Sequence, residues 1–134
     1  GISGDGCWLN GRAIRTSGKS DLAECIAGIC NPDSFGPTHD PGMQRLRGAT
    51  RWNVWDTGCL GYASLARGAI DVTINGPNLD PFDICALVPV IQGAGGEISA
   101  WDGSALTLHS EGAIVASATA ELHATVRGLL NASA

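Results

Sequence analysis

The sequence predicts an α/β protein: a layered, mixed sheet flanked by helices. Three observations carry this expectation. Short alternating or β-branched runs such as "AIDVTIN" recur between segments with helical spacing. Those helical segments are apolar nearly all round, as helices covering a sheet must be. An Asn10-Gly11 pair stands between two short alternating runs, a strong hairpin signal that makes part of the sheet antiparallel.

In chain order, "GCWLNGRAIRTS" reads as two antiparallel strands joined at Asn10-Gly11. "DLAECIAGIC" has helical content, but Asn31-Pro32 ends it at once, so a strand over residues 24–30 followed by a turn-rich loop is expected. Pro41 near a first turn and Gly48 past an end bracket a short helix, and "TRWNVW" follows as a strand. "DTGCLGYASLARGA" places Cys59, Tyr62, Ala63 and Ala66 at helical spacing, with Asp56 or Thr57 as N-cap and Gly68 as stop. "AIDVTIN" is the next strand, and "GPN" turns the chain. "GEISAWDG", "LTLHS" and "GAIVASA" read as short strands. The last segment, "TAELHATVRGLLN", is a helix capped by Thr119, with Leu122, Val126, Leu129 and Leu130 as its apolar stripe.

Composition narrows the function. The 134 residues fit one domain of ordinary size, and 44% hydrophobic against 16% charged content argues against disorder. The net charge of -5 has no acidic or basic block behind it, and the eight Lys and Arg are scattered, so nucleic acid is not an expected partner. The five cysteines are odd in number and lack CxxC spacing, which points to reduced thiols in an intracellular setting. No apolar run approaches the roughly 20 residues of a membrane span. The N-terminal residues lack the regions of a signal peptide and read as mid-domain sequence. A soluble, cytoplasmic protein is expected.

The chemically informative stretch is "LDPFDICALVPVIQGAGG", residues 79–96, in which Asp83 heads an apolar run. Asp80 can cap a helix and Pro81 suits its first position, so Asp83 falls where a carboxylate meets free N–H groups and the positive end of the dipole. Pro89 should kink such a helix, and a buried strand over residues 84–91 is the alternative. Either way an ionised carboxylate at the edge of an apolar element needs hydrogen bonds or a cation, so capping and metal ligation both stay open. His39 in a turn-rich loop, His109 at a strand end and His123 on the outer side of the last helix read as surface histidines. Ser110 and Ser117 lack a nucleophile-elbow context.

"PFDICALVPVIQGAGG" resembles the C-terminal signature of the inositol monophosphatase-like phosphatases: aromatic-Asp-x-Ala-Ala, an apolar stretch, then Glu-Ala-Gly-Gly. Phe82, Asp83, Ala86, Gly93, Ala94, Gly95 and Gly96 carry it, with Cys85 in the first Ala place. "GCWLNGRAIRTS" is similar to the family's Asn-Gly hairpin, and "TGCLGYASLARGAIDVTI" to its substrate-loop helix and following strand. "LVPVIQGAGGEISAWDG" and "GCLGY" look closest to the histidinol-phosphate phosphatase branch. The resemblance implies the C-terminal part of a sugar-phosphatase fold, with residues 1–18 the trailing hairpin of an incomplete N-terminal domain and residues 19–134 the C-terminal α/β domain.

It also implies a function: Mg²⁺-dependent hydrolysis of a small phosphate monoester, histidinol phosphate or an inositol phosphate, by a cytoplasmic homodimer. Asp83 becomes a magnesium ligand, and Thr57, Gly58, Cys59 and Asn75 become substrate contacts. Magnesium needs several oxygen ligands, and the family's others, a glutamate and an Asp-Pro-Ile-Asp-Gly-Thr motif, lie upstream of the hairpin and are not in these residues. The chain thus resembles a C-terminal half, inactive without a missing N-terminal half. In the histidinol-phosphate branch an acid usually stands directly before the Cys of the substrate turn. Here that place is Gly58, and Asp56 lies two residues back. A family acid ahead of the Pro-aromatic-Asp motif is replaced, with Asn75 nearest. The alternative function is a non-catalytic α/β module for assembly or ligand binding.

Overall fold

Asn10 and Gly11 adopt φ of 50° and 77°, the paired left-handed conformations of a tight hairpin turn. They join β1 (Trp8–Leu9) to β2 (Arg12–Ala13) in antiparallel register, Trp8 opposite Ala13. The computed structural model describes residues 1–2, 4–110 and 112–132. After the hairpin the chain crosses onto a five-stranded mixed sheet. β3 (Ile26–Ile29) pairs in parallel with β4 (Trp52–Trp55) on one side and with β5 (Val72–Ile74) on the other. β7 (Ile114–Ser117) runs antiparallel to β5, and β6 (Glu97–Ala100) pairs antiparallel with β7 at the far edge.

Helices cover both faces. α1 (Gly36–Ala49) and α5 (Ala120–Leu130) pack together over one, enclosing Ile29, Phe35, Met43, Leu46, Val72, Ile74, Leu122 and Val126. α2 (Gly58–Ala66), α3 (Pro81–Ile84) and α4 (Leu87–Gly93) cover the other, enclosing Tyr62, Leu65, Ile84, Ile91, Ile98 and Ile114. The period-2 alternation of strands sets the division: Val72 and Ile74 face one layer and Thr73 between them faces the other. This is the α/β layered, mixed sheet expected from sequence.

Several local expectations are corrected. α1 starts at Gly36, five residues before Pro41, and carries Pro41 and Gly48 inside it. A proline in a helix interior removes one N–H and crowds a carbonyl. Here Met43 and Leu46, both essentially buried, hold the helix on the core through that defect. The run "LTLHS" is not a strand. Side chains satisfy its backbone instead, with Thr107 N–H donating to Ser110 Oγ at 2.8 Å and His109 N–H to Thr107 Oγ1 at 3.1 Å, and Leu108 is exposed. α2 buries Gly61, Tyr62, Leu65 and Ala66, so of the four residues at helical spacing Tyr62 and Ala66 face the core while Cys59 and Ala63 are left in solvent.

His123 is also reassigned. It is buried on the inner side of α5, with Nε2 2.9 Å from Ser99 Oγ and Nδ1 3.3 Å from Ser117 Oγ. Two sheet hydroxyls make a polar slot there, invisible to a helical-wheel reading.

The open choice between helix and strand over residues 84–91 resolves as two short helices broken at Cys85 and Ala86. Pro89 places the break: it has no N–H for the Cys85 carbonyl, and as third residue of α4 it sits where an N–H has no intrahelical partner.

Candidate functional site

Parallel strands deliver their C-terminal ends, and the helix N-termini that follow, to one edge of a sheet. Ile29, Trp55 and Ile74 are aligned in register at the ends of β3, β4 and β5, so Cys30, Asp56 and Asn75 all emerge at that edge. Asp56 has φ 54° and Gly58 φ 47°, a sharp reversal that turns the chain from β4 into α2.

Thr57 stands at the N-cap position but makes no side-chain cap hydrogen bond. Its hydroxyl is turned inward: a methyl built on Gly61 would lie 2.5 Å from Thr57 Oγ1 and 3.0 Å from Thr73 Oγ1. The first-turn N–H groups of α2 are therefore not capped by the Thr57 side chain. A helix N-terminus with free N–H groups attracts anions. Gly58 and Cys59 in that turn are exposed.

Asn75 is buried, and its N–H donates to the Ile114 carbonyl at 3.0 Å. Its side-chain Oδ1 accepts from the Tyr62 hydroxyl at 2.8 Å, which links α2 to the end of β5. Sequence reasoning placed Tyr62 only on a helical stripe, and the structure adds its hydroxyl as the partner of the candidate residue Asn75. Burial, and then the nearby Cys30, push its phenol well above the usual range, so it stays a neutral donor. Cys30 Sγ lies 3.0 Å from Ser34 Oγ, just past β3 on the same edge.

Asp83 lies in the single turn of α3, beside Ile84, which packs in the Tyr62 cluster. The carboxylate is exposed, and Oδ2 accepts from the Asp80 N–H at 3.0 Å. This is the reach-back half of a capping box. It occupies one oxygen of two. Among the described residues no group of three or more His, Cys, Asp or Glu is arranged to hold a metal ion. Also among them, no helix is long and apolar enough to cross a membrane.

The profile of the inositol monophosphatase family matches residues 1–133. The chain belongs to that family. It is 33% identical over 116 residues, 87% of its length, to the bifunctional phosphatase IMPL2, chloroplastic, of Arabidopsis thaliana. It superposes on an inositol monophosphatase from Zymomonas mobilis with a TM-score of 0.93 at 23% identity, over 98% of this chain and 52% of that one. It also superposes on a dual specific IMPase/NADP phosphatase bound with D-inositol-1-phosphate, with a TM-score of 0.80 at 24% identity, over 97% of this chain and 49% of that one. At these identities the superpositions speak for the fold. The chain spans about a third of the curated relative and about half of each solved structure.

Proposed function

We propose that this chain is the substrate-seating half of a Mg²⁺-dependent phosphate monoester hydrolase, with histidinol phosphate and inositol phosphate as candidate substrates. The observation supporting it is the Tyr62–Asn75 hydrogen bond, which ties α2, whose N-terminus at Thr57 has no side-chain cap, to the end of β5, with Ile84 of the one-turn helix carrying Asp83 packed in the same apolar cluster as Tyr62. The relatives' printed phosphatase activities favour the same reading. Residues 1–18 then form the trailing hairpin of an N-terminal domain, and residues 19–134 the C-terminal domain.

In this reading the first-turn N–H groups of α2 seat an anionic phosphate, and Asn75 contacts the organic portion of the substrate. The described residues do not by themselves make a magnesium site: Asp83 is one hard oxygen ligand, and an octahedral ion needs several. Magnesium, when held jointly with acids outside this chain, activates water and neutralises charge on the leaving oxygen. Asp83 suits that share of the task because its carboxylate is fixed through one oxygen and exposed at the other.

The test is phosphate release by the full-length protein from both esters with Mg²⁺, beside Asp83→Asn. Abolished turnover in the variant with an unchanged fold is expected. Unchanged turnover removes Asp83 from the metal. This chain purified alone should release no phosphate, and robust Mg²⁺-dependent turnover by it would overturn the proposed division of ligands. The competing reading, a non-catalytic binding module, predicts no turnover by the full-length protein with either ester.

A further inference from the structure

A cavity of about 540 Å³ opens between the first turn of α1, the connection from β6 to β7 and the end of α5. None of Thr57, Gly58, Cys59, Asn75 or Asp83 lines it. Its volume is that of a small-molecule site. Trp101 anchors it: the ring is essentially buried, its indole N–H donates to the Ile114 carbonyl at 3.1 Å, and the His39 ring meets it edge-on with centroids 4.9 Å apart.

What the cavity offers a ligand follows from which hydrogen-bonding atoms its own turns already use. Asn131 directs both amide hydrogens at carbonyls, those of Trp101 at 2.7 Å and Arg127 at 2.8 Å, so its Oδ1 is left as an acceptor. Asp102 Oδ1 takes the Ser104 N–H at 2.8 Å and the Ser104 hydroxyl at 2.7 Å. These bonds hold the carboxyl below its usual range, and Oδ2 has no partner among the described residues. The 107–110 turn has the opposite polarity. Ser110 Oγ accepts from the Thr107 N–H at 2.8 Å and Thr107 Oγ1 from the His109 N–H at 3.1 Å, so both hydroxyl protons remain for donation. Each turn is closed by a backbone bond, Gly103 N–H to the Ala100 carbonyl and Ser110 N–H to that of Thr107, which fixes these groups before a ligand arrives.

We infer that this cavity is a ligand site, separate from the candidate active site, for neutral polyhydroxylated molecules of monosaccharide size. Charge excludes the other classes. No Lys or Arg is among the described residues lining it, so an anion meets the Asp102 carboxylate with nothing to offset it. A cation gains little, because the Arg127 guanidinium already sits beside that carboxylate, donating to the Asp102 carbonyl at 2.7 Å. Apart from Trp101 the carbon surface comes mostly from alanine and glycine, too little to hold an apolar ligand. A hydroxyl both donates and accepts. Several on one carbon skeleton can give protons to Asn131 Oδ1 and Asp102 Oδ2 while taking them from Ser110 and Thr107. An ammonium supplies donors alone and leaves the 107–110 turn unpaired, and sites reject ligands that do so by large factors. The inference goes beyond the phosphatase reading and does not depend on it.

The experiment titrates the isotope-labelled full-length protein with D-glucose, inorganic phosphate, ethylammonium and cyclohexanol, read by NMR. Glucose should move the Ser104 and Ser110 amide and His39 ring resonances together along one saturating curve, and the other three probes should leave them in place. Asp102→Ala should weaken glucose binding by about tenfold, the effect of losing one charged acceptor. Because that change also frees the Ser104 side chain, a second variant leaves every hydrogen-bonding group alone. Ala105 lines the cavity and is exposed, so Ala105→Phe should fill the space and abolish the shifts while the thermal transition stays cooperative. Response of these resonances to phosphate, ethylammonium or cyclohexanol but not to glucose overturns the inference. So do glucose shifts that survive Ala105→Phe or fall on Gly58 and Cys59 instead, and so does silence with every probe. None of these outcomes bears on phosphate release, which tests the phosphatase reading by itself.

Discussion

Lys19 Nζ lies 3.2 Å from Asp71 Oδ2, joining the segment that leaves the hairpin to a carboxylate buried at the head of β5. The same Asp71 accepts from the N–H of Ile26 at 2.8 Å and from the Ser17 hydroxyl. A buried charge is tolerable only with such a full set of partners. Asp71 thereby ties residues 17–19, β3 and β5 into one unit, and fixes the strand whose far end carries Asn75.

Asp71→Ala should destabilise the chain by about 3 kcal/mol or more, since it removes a carboxylate on which three groups depend. Lys19→Ala should cost only about 1 kcal/mol, because its head is half exposed and the other two donors remain. Urea unfolding midpoints check both. Equal losses would show that Asp71 is not the hub.

Stability should fall on acidification through His123. Burial, and then the Arg127 charge, lower its pKa to about 4 from 6.5. The folded state holds the neutral ring between Ser99 and Ser117, whereas the unfolded chain takes up a proton below its own pKa. The contribution is therefore complete above about pH 6.5 and is lost as pH falls toward 4, by up to about 3 kcal/mol. Unfolding free energies at pH 7 and pH 5 measure it, and His123→Gln should flatten the slope between them. Parallel pH profiles for wild type and variant would exclude the histidine as its source.

Two glycines of α1 should respond oppositely to alanine. A Cβ at Gly42 would meet the Leu130 carbonyl at 2.5 Å and the Trp101 ring at 3.0 Å, where α1 and α5 touch. Backbone must shift, so Gly42→Ala should lower stability by about 1–3 kcal/mol. At Gly48 a Cβ meets nothing within 4 Å, and Gly48→Ala should add about 0.5–1 kcal/mol through helix propensity. Thermal melts of the two variants should move in opposite directions.

Trp8, Leu9 and Leu60 are exposed around a largely apolar groove of about 410 Å³ between the hairpin, α2 and α4. A face of this kind binds hydrophobic dyes and favours association. The isolated chain should enhance ANS fluorescence, and Leu60→Lys with Trp8→Ser should abolish most of the signal without lowering the helix content read by circular dichroism. Undiminished dye binding in the double variant would place the exposed apolar surface elsewhere.

Much of the fold was legible because local chemistry and tertiary demand agree. Asn10-Gly11 can hardly avoid a hairpin, Thr119 both caps and starts α5 with its hydroxyl 3.1 Å from the Leu122 N–H, and "AIDVTIN" has the branching of a buried strand. The signal failed where packing overruled propensity. Pro41 reads as a helix start, yet Met43 and Leu46 carry the helix through it. His123 reads as outward until two serines from β6 and β7 close around it. The candidate site was legible in part: the motif stretch named Asp83, Thr57, Gly58, Cys59 and Asn75, but nothing in the chain's order tells that Tyr62 ends at Asn75.

The sequence alone determined the α/β class, the order of most elements and the family signature, because each is written in neighbouring residues through periodicity, turn chemistry and motif spacing. Only the tertiary structure decided which side chain the Asn75 amide meets, which histidine is buried and which carboxylate holds the strands together. Those outcomes depend on groups from separate elements meeting at hydrogen-bond distance in a place water does not reach, and such meetings leave no mark on local sequence.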